Sequence, residues 1–202
     1  VRGTFTKYNL DFANDVLHIA DLGFDQLSVE PVVTDPKLPY ALTEQDLPAI
    51  FAEYDRLFDI MEKGDKKFNF FHFMIDLQQG PCAIKRLRGC GCGNEYVAVT
   101  PDGDIFPCHQ FVGMDDWKMG NIFEGAVNKE IKDYFAKTHI YSKQGCSECW
   151  ARFYCSGGCN ANSFIYEGDV RKPMPLQCEL MRKRIECGIA LGVKLEQAAE
   201  NG

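Results

Sequence analysis

The sequence lacks several features that would place it directly in a functional class. It has no apolar run long enough to cross a bilayer, because charged residues interrupt every candidate, so no membrane span is expected. Its first residues contain neither an initiator methionine nor an apolar signal segment, so position 1 is expected to be an internal cut in a longer protein. There is also no excess of basic residues. The 22 Lys and Arg against 29 Asp and Glu give a net charge of −7, which argues against nucleic acid as the main partner.

Cysteine is what the chain has in quantity. Four of its ten cysteines fall in the run from Cys146 to Cys159, with two, five and three residues between successive members. Two cysteines separated by two residues can place both sulfurs on one metal or cluster. Gly157 and Gly158 allow the backbone to turn the last sulfur of the run elsewhere. The ten positions are Cys82, Cys90, Cys92, Cys108, Cys146, Cys149, Cys155, Cys159, Cys178 and Cys187.

Three chemistries compete for these thiols. Disulfides require an oxidising compartment, of which the sequence carries no sign, and a cytoplasmic location is expected instead. Structural zinc fits four thiolates but leaves the remaining thiols without a role. Iron–sulfur clusters use cysteine almost exclusively, and two clusters need about eight thiolates, a number that this chain supplies. The cysteine pattern therefore favours iron–sulfur clusters.

Hydrophobic periodicity predicts an α/β arrangement in residues 1–79. Helices and strands alternate there, and two such units do not close a barrel, so this segment is expected to be the last part of a larger one. The predicted elements are helices over 9–22 and from a Thr43–Asp46 capping box to Gly64, and strands over 26–33 and 68–76.

The pattern changes near residue 80, where a second domain covering 80–202 is predicted to begin. Its expected elements are a hairpin over 95–107 around Pro101–Asp104, a helix over 125–137, a cysteine-rich loop over 140–175 and a C-terminal helix over 176–191.

The order of the cysteines resembles the signature of the SPASM domain. Cys90 is followed by twelve residues and Gly103, and then by four residues and Cys108. The run from Cys146 to Cys159 and the separate Cys178 match the end of that signature. SPASM domains follow the barrel of radical S-adenosylmethionine (SAM) enzymes. The resemblance thus implies the C-terminal part of a partial (β/α) barrel, followed by a cysteine-rich domain with a β-hairpin and helices.

A narrower resemblance is to the maturases of SCIFF peptides, which carry six cysteines in forty-five residues. It implies an oxidoreductase that forms thioether crosslinks in a ribosomally made, cysteine-rich precursor peptide, with ferredoxin or flavodoxin as reductant. The absent SAM cluster would generate a 5′-deoxyadenosyl radical, and auxiliary clusters would bind a thiolate and accept the leftover electron. The segments that carry the match are residues 2–6, 28–32, 80–82, 85–91, 99–104 and 109–113.

The resemblance implies two auxiliary [4Fe–4S] clusters. It assigns Cys108, Cys159 and an upstream cysteine to the first, with Cys90 preferred, Cys92 also within the spacing window, and Cys82 either a fourth ligand or a buried thiol. With three thiolates only, the first cluster would keep an open position for a substrate cysteine. The alternative is that Cys82, or the second member of the Cys90/Cys92 pair, fills this position and the cluster only carries electrons. The ligands implied for the second cluster are Cys146, Cys149, Cys155 and Cys178.

Two departures from the family pattern qualify this interpretation. No Cys-x3-Cys-x2-Cys motif is present, so SAM and a third cluster are expected N-terminal to Val1, and this chain alone is expected not to cleave SAM. In addition, His109 follows Cys108 where related sulfatase-maturing enzymes have an acid. The alternatives are a sulfatase-type or amine-dehydrogenase-type SPASM maturase, or a non-catalytic zinc or electron-transfer module.

Several other side chains are weaker candidates. His109 is a candidate to donate to sulfide or substrate, with a structural hydrogen bond as the alternative. Glu30 is a candidate for contact with SAM or peptide, with a salt-bridged strand end as the alternative. Trp150 and Tyr154 are expected to shield a cluster from water, and Cys187 is expected to lie in the core.

Overall fold

The computed structural model describes residues 1–64, 66–76 and 82–200. Contacts divide the chain into two units, unit 1 (Val1–Gly80 with Pro175–Gly202) and unit 2 (Pro81–Met174). The division falls where the sequence pattern changes. The C-terminal helix, however, packs within unit 1, whereas the predicted second domain ran on to residue 202.

Unit 1 is built on a three-stranded parallel sheet with the order β1-β2-β3. The α/β class and the two predicted helices before residue 65 are confirmed, and the first strand was not predicted. A Thr43–Asp46 capping box precedes the second helix, with the Thr43 N–H donating to Asp46 Oδ2 over 2.8 Å. The elements are β1 (Arg2–Phe5), α1 (Phe12–Asp21), β2 (Gln26–Pro31), α2 (Leu47–Lys63), β3 (Asn69–Phe70) and, after unit 2, α7 (Pro175–Glu200).

The strand predicted over 68–76 is wrong beyond Phe70. The chain forms a 3-10 turn at Phe71–Phe73 instead, and residues 77–81 lie outside the described part. In this turn His72 is 7% exposed and contacts buried polar groups. His72 therefore has buried polar partners of its own, although it lies in a largely apolar run of the sequence.

Aromatic rings fill much of the core of unit 1. Phe5 stacks on Phe12 with ring centroids 4.5 Å apart, and Phe12 meets the edge of Tyr54 at 5.1 Å. α7 approaches the turn after β3 so closely that a Cβ at Gly188 would lie 2.6 Å from Ile75 Cδ1. Unit 1 is thus closed by a helix that comes from the far end of the sequence.

Unit 2 is made of short elements around a four-stranded antiparallel sheet with the order β4-β5-β6-β7. The predicted hairpin is confirmed. The helix predicted over 125–137 starts only at Lys129, where Asn128 caps it, and the predicted 140–175 loop contains two helices. The elements are α3 (Ala83–Arg88), β4 (Ala98–Val99), β5 (Asp104–Phe106), β6 (Gly120–Asn121), β7 (Ala126–Val127), α4 (Lys129–Ala136), α5 (Arg152–Cys155) and α6 (Asn160–Glu167).

Candidate metal centre

Two cysteines of unit 2 stand immediately before helical turns. Cys108 precedes the 3-10 turn His109–Phe111, and its contact with Cys92 and the nearby backbone N–H groups of Gln110 and Phe111 lower the pKa of its thiol. Cys159 precedes α6 in the same way, where burial raises the pKa of its thiol and the backbone N–H groups of Asn162 and Ala161 oppose that rise. Backbone N–H groups near the start of a helical turn favour a thiolate, and equally a metal-bound sulfur.

Cys92 lies against Cys108. Cys92 is 4% exposed and Cys108 6%, and both belong to one hydrophobic cluster, against which Cys159 packs. The Gly93 N–H donates to the Pro107 carbonyl over 3.0 Å, so the residue after one cysteine is bonded to the residue before the other. A hydrogen bond between the two thiols raises the pKa of Cys92 and lowers that of Cys108 to about 6.

Cys90 completes what we call the first thiol group, namely Cys90, Cys92, Cys108 and Cys159. Cys90 is exposed, yet it lies close enough to Cys92 and Cys159 for its charge to raise the pKa of both thiols. Burial is the largest cause of the raised pKa of Cys159. The structure therefore brings together the cysteines proposed for the first cluster. It does not decide whether Cys90 or Cys92 is the upstream ligand.

The donors of the first thiol group suit a cluster better than a single ion. Among residues 1–64, 66–76 and 82–200, no three or more His, Cys, Asp or Glu side chains are arranged around one ion position. Zinc requires about four sulfurs within roughly 2.3 Å of one ion, whereas each thiolate of a cubane binds a different iron. Four thiols with buried N–H donors beside two of them fit the wider arrangement.

The second set of thiols lies on the following turns. The Cys149 N–H donates to the Cys146 carbonyl over 3.2 Å, and Cys155 ends α5. The chain then turns sharply through Ser156, Gly157 and Gly158, with φ of 57°, 83° and 70°. This is the turn expected from the two glycines, and it leads into the first thiol group at Cys159.

Sequence reasoning missed Lys143. Its side chain is buried, with the residue 5% exposed, and its Nζ donates to the Gly157 carbonyl over 2.7 Å, inside the turn between Cys155 and Cys159. A buried ammonium is rare without a partner of this kind. The available signal was its position three residues before Cys146, beside a run of groups that become anionic when they bind metal.

The remaining cysteines are placed differently. Cys82 is exposed at the start of α3, so the buried-thiol alternative for it is wrong. Cys187 is 4% exposed and burial raises its pKa to about 11, which confirms its predicted place in the core. Cys178 lies on α7 of unit 1, and its assignment to the second cluster stays a prediction.

The aromatic and histidine candidates have mixed outcomes. Trp150 is 54% exposed and Tyr154 is 42% exposed, and the expectation that these rings shield a cluster from water stays a prediction. His109 Nδ1 lies 3.4 Å from the Tyr96 hydroxyl, a long contact that fits the structural alternative for this histidine. Its proposed role toward sulfide or substrate stays a prediction.

Glu30 belongs to a ring of buried polar groups in unit 1, which we call the buried polar ring. His72 Nε2 lies 2.8 Å from Glu30 Oε1, and Arg184 Nη1 lies 3.3 Å from Glu30 Oε2. Arg184 Nε donates to the Tyr54 hydroxyl over 2.7 Å, and that hydroxyl lies 3.2 Å from His72 Nδ1. The salt-bridged alternative for Glu30 is therefore what the structure shows.

The hydrogen-bond donors of the buried polar ring indicate which of its atoms carry protons. Because Arg184 donates to Tyr54, the Tyr54 proton is directed to His72 Nδ1, which assigns the histidine proton to Nε2, facing Glu30. Burial is the largest cause that lowers the pKa of His72 to about 4. Burial alone would raise the pKa of Glu30, but its contact with His72 and the Arg184 charge lower it to about 2.

Comparison with known proteins agrees with this picture. Residues 90–150 match the family model of SPASM, an iron–sulfur cluster-binding domain. The whole chain aligns with 54% of the anSMEcpe structure with bound AdoMet, with a TM-score of 0.68 and 19% identity. It also aligns with 57% of native anSMEcpe bound to AdoMet and Kp18Cys peptide, at 0.67 and 19%. Of this chain, 88% aligns with 44% of Streptococcus suis SuiB bound to S-adenosylmethionine, with a TM-score of 0.53 and 19% identity.

The chain therefore spans little more than half the length of the two anSMEcpe structures. Among the helices of the described residues, none is both long and apolar enough to cross a membrane. The thiol groups of unit 2 lie within or directly after the matched SPASM segment. Residues 90–150 thus match the SPASM iron–sulfur cluster-binding domain, and the chain has the fold of part of the anSMEcpe structures.

Proposed function

We propose that this chain is the C-terminal part of a radical SAM peptide maturase, which joins cysteine sulfur to an α-carbon of a cysteine-rich precursor peptide. The observation that carries the proposal is the first thiol group. Its four thiols lie close enough to shift the pKa of one another, and three of them fall inside the segment that matches an iron–sulfur domain.

In this proposal the chain holds two auxiliary [4Fe–4S] clusters. The first thiol group would bind one, and Cys146, Cys149 and Cys155 with Cys178 would bind the other. When bound, SAM with its own cluster supplies the radical that removes one hydrogen atom from the peptide, and the auxiliary clusters supply an acceptor for the remaining electron. The thiol proton goes to solvent, so two hydrogen atoms leave for each thioether formed.

The residues of this chain would hold and orient the clusters. The backbone N–H groups that follow Cys108 and Cys159 lower the pKa of these thiols, and the same groups would favour the anionic reduced state of a bound cluster. Lys143 fixes the turn between Cys155 and Cys159 from within the core. In unit 1 the buried polar ring holds the Glu30 carboxylate ionised near the end of β2, where barrel enzymes bind their ligands.

A sulfatase-type SPASM maturase is the second candidate. The observation in its favour is the structural match to anSMEcpe, which has been solved with bound AdoMet and a Kp18Cys peptide. His109 distinguishes the candidates, because it occupies the position after Cys108 where the sulfatase type carries an acid. We therefore expect the cysteine-rich peptide, rather than a sulfatase peptide, to be modified.

The test uses the full-length protein, including the part that precedes Val1, purified and reconstituted without oxygen. With SAM, a reductant such as flavodoxin and a cysteine-rich peptide, the product should lose two hydrogen atoms per crosslink and one free thiol. A sulfatase peptide serves as the parallel substrate. Conversion of that peptide alone would replace the thioether proposal with the second candidate, and zinc without sulfide in the protein would contradict both.

A matched measurement uses the present chain alone. It should bind about eight irons with equal sulfide, the content of two cubane clusters. It should nevertheless produce no 5′-deoxyadenosine from SAM, because it lacks the three-cysteine motif. Catalytic formation of 5′-deoxyadenosine by this chain would contradict the proposal that SAM cleavage requires a part of the protein outside this chain.

A further inference from the structure

The helix α6 contains a deeply buried hydroxyl group without a partner. Ser163 is 1% exposed, and its Oγ forms no hydrogen bond within the part of the chain that the structure describes. A serine inside a helix can bond its hydroxyl to the carbonyl four residues earlier, here that of Cys159, but Ser163 does not. Buried polar groups almost always have a partner, so this hydroxyl requires an explanation.

Ser163 lies one helical turn after a cysteine of the first thiol group. The Ser163 N–H donates to the Cys159 carbonyl over 3.1 Å, so the two residues are neighbours along the helix surface. Helical side chains lean toward the N-terminus, so the Ser163 side chain covers the turn that begins at Cys159. Cys159 in turn packs against the hydrophobic cluster that contains Cys92 and Cys108. The unpartnered hydroxyl is therefore on the side of α6 that leads to the first thiol group.

The other unpartnered polar atoms of unit 2 fit this place less well. Arg152 and Arg171 have unpartnered Nε atoms, but each guanidinium also lies over an aromatic ring, 4.6 Å from its centroid. Asn162 Oδ1 is an acceptor, which sulfur atoms cannot satisfy. Trp117 Nε1 is a donor in a ring that packs against the same hydrophobic cluster, so it is the competing candidate.

We propose that Ser163 donates its hydroxyl hydrogen to a sulfur of the cluster at the first thiol group and thereby raises the reduction potential of that cluster. The inference rests on the proposed function, since it requires a cluster there. Hydrogen bonds to cluster sulfurs strengthen when reduction adds negative charge, so a donor favours the reduced state. One electron enters the cluster, the hydroxyl keeps its proton, and no covalent bond forms or breaks.

A donor at this place suits a cluster that accepts the electron left after thioether formation. Because Ser163 is buried, water does not compete for its hydrogen bond, which strengthens the effect on the cluster. The backbone N–H groups of Ala161 and Asn162 act in the same direction, since they oppose the rise in the pKa of Cys159. One turn of α6 would thus supply the first cluster with both backbone and side-chain donors.

The experiment measures the reduction potentials of both clusters in the reconstituted chain, by redox titration followed with paramagnetic resonance. Ser163→Ala should lower one of the two potentials. At a fixed potential the ratio of reduced to oxidised cluster should fall about tenfold, which is about 59 mV for one electron. Ser163→Thr keeps the hydroxyl and should retain most of the original potential. In deuterium oxide, a deuteron coupled to the reduced cluster of the unsubstituted chain should be lost in Ser163→Ala.

Thr138→Val is the matched control. Thr138 is 3% exposed, but its hydroxyl has a protein partner and donates to the Tyr134 carbonyl over 2.9 Å. Its loss should lower the denaturation midpoint of unit 2 and leave both potentials unchanged. A buried hydroxyl that is merely structural would behave like Thr138, whereas Ser163 should affect a potential.

The outcomes separate the two levels of inference. If the unsubstituted chain binds no iron with sulfide, the proposed function itself fails. If clusters assemble and Ser163→Ala changes neither potential nor the deuteron coupling, the inference about Ser163 is overturned and the proposed function stands. A shift caused by Trp117→Phe, with none caused by Ser163→Ala, would assign the donor to Trp117.

The alanine variant is expected to fold, because alanine favours a helix more than serine does. Ser163→Gly also removes the hydroxyl, and it decides the question if Ser163→Ala does not retain its clusters. Potentials equal to those of the unsubstituted chain in Ser163→Gly would then overturn the inference.

Discussion

The two units bury polar groups in opposite ways. In unit 1 the buried polar ring is formed by its own side chains, with a carboxylate, an imidazole, a phenol and a guanidinium each within 3.3 Å of the next. In unit 2 thiols stand at the starts of short helical turns, in addition to buried polar groups such as Lys143. Thiols satisfy each other weakly, and their strong partner is a metal.

The helices of the two units also differ in length. α2 has 17 residues and α7 has 26, whereas the helices of unit 2 have four to eight residues and its strands two or three. Helices this short are not stable by themselves. We therefore expect unit 2, which has a core of its own around Phe111 and Phe135, to depend more than unit 1 on what its thiols bind.

Removal of iron should have the largest effect, and it should destabilise unit 2 far more than unit 1. Because metal binding supplies folding free energy, amides of residues 82–174 should exchange about 100-fold faster or more after chelation, while those of α2 stay protected. Hydrogen exchange with mass spectrometry measures both units at once. Both tryptophans, Trp117 and Trp150, lie in unit 2, so fluorescence reports that unit separately. Equal loss of protection in the two units would contradict the comparison.

Arg184→Ala should have the largest effect within unit 1. It leaves the Tyr54 hydroxyl and one Glu30 oxygen without their buried partner, and breaking such a pair costs about 3–5 kcal/mol. The measurement is the denaturant dependence of exchange in α2. Arg182→Ala removes a partly exposed guanidinium from the same helix and should cost about 1 kcal/mol or less.

The double variant Glu30→Gln with Arg184→Met tests the mechanism of that loss. It removes both charges, so it should be more stable than Arg184→Ala alone, because no unpaired carboxylate remains. A double variant that loses as much as the sum of the single substitutions would show that the two groups act independently.

These contrasts also explain what the sequence could predict. In unit 1, apolar spacing located both helices before residue 65 and the parallel strand β2, because burial against one sheet imposes a period. It failed at 68–76, since periodicity does not register the buried partners of His72. The contacts of Glu30 with His72 and Arg184 join residues far apart in sequence, and no local pattern reports them.

In unit 2, periodicity was less useful than cysteine spacing. The short α5 and α6 were missed inside a predicted loop, because four to eight residues carry little periodic signal. Cysteine order nevertheless pointed to Cys90, Cys108 and Cys159, which the structure brings together. Spacing left Cys92 open, because its place is set by the contact of Gly93 with Phe135, a packing detail that spacing does not contain.

Acidification should weaken unit 1 in two steps. The pKa of His72 is about 4 in the folded chain against 6.5 ordinarily, so the unfolded state binds its proton first. Stability is therefore fully present above pH 6.5 and is lost as the pH falls toward 4, by up to about 3 kcal/mol. The Glu30 carboxyl, with its pKa lowered from 4.5 to about 2, adds a further loss below pH 4.5.

His72→Gln isolates the first step. Glutamine keeps a donor toward Glu30 but cannot take up a proton, so the loss between pH 6.5 and 4 should disappear while the loss below pH 4.5 remains. The groups around His72 are Glu30, Tyr54, Arg184 and the exposed Arg2. Exchange in α2 measured across this range provides the test, and an unchanged upper step in the variant would assign it to another group.

Gly93→Ala and Gly113→Ala sharpen the comparison inside unit 2, with the smallest expected difference. Both glycines have positive φ, 73° and 86°, so alanine costs about 1–2 kcal/mol of backbone strain at either position. Only at Gly93 does the new Cβ also meet a ring, 2.5 Å from Phe135, which adds about 1–3 kcal/mol of overpacking; Gly113 has nothing within 4 Å.

In cluster-loaded protein, denaturation followed by tryptophan fluorescence should show Gly93→Ala as the less stable variant. In chelated protein the difference should vanish, because a loosened core lets Phe135 move aside. Persistence of the full difference without iron would mean that the core of unit 2 is set by its side chains alone, as that of unit 1 is.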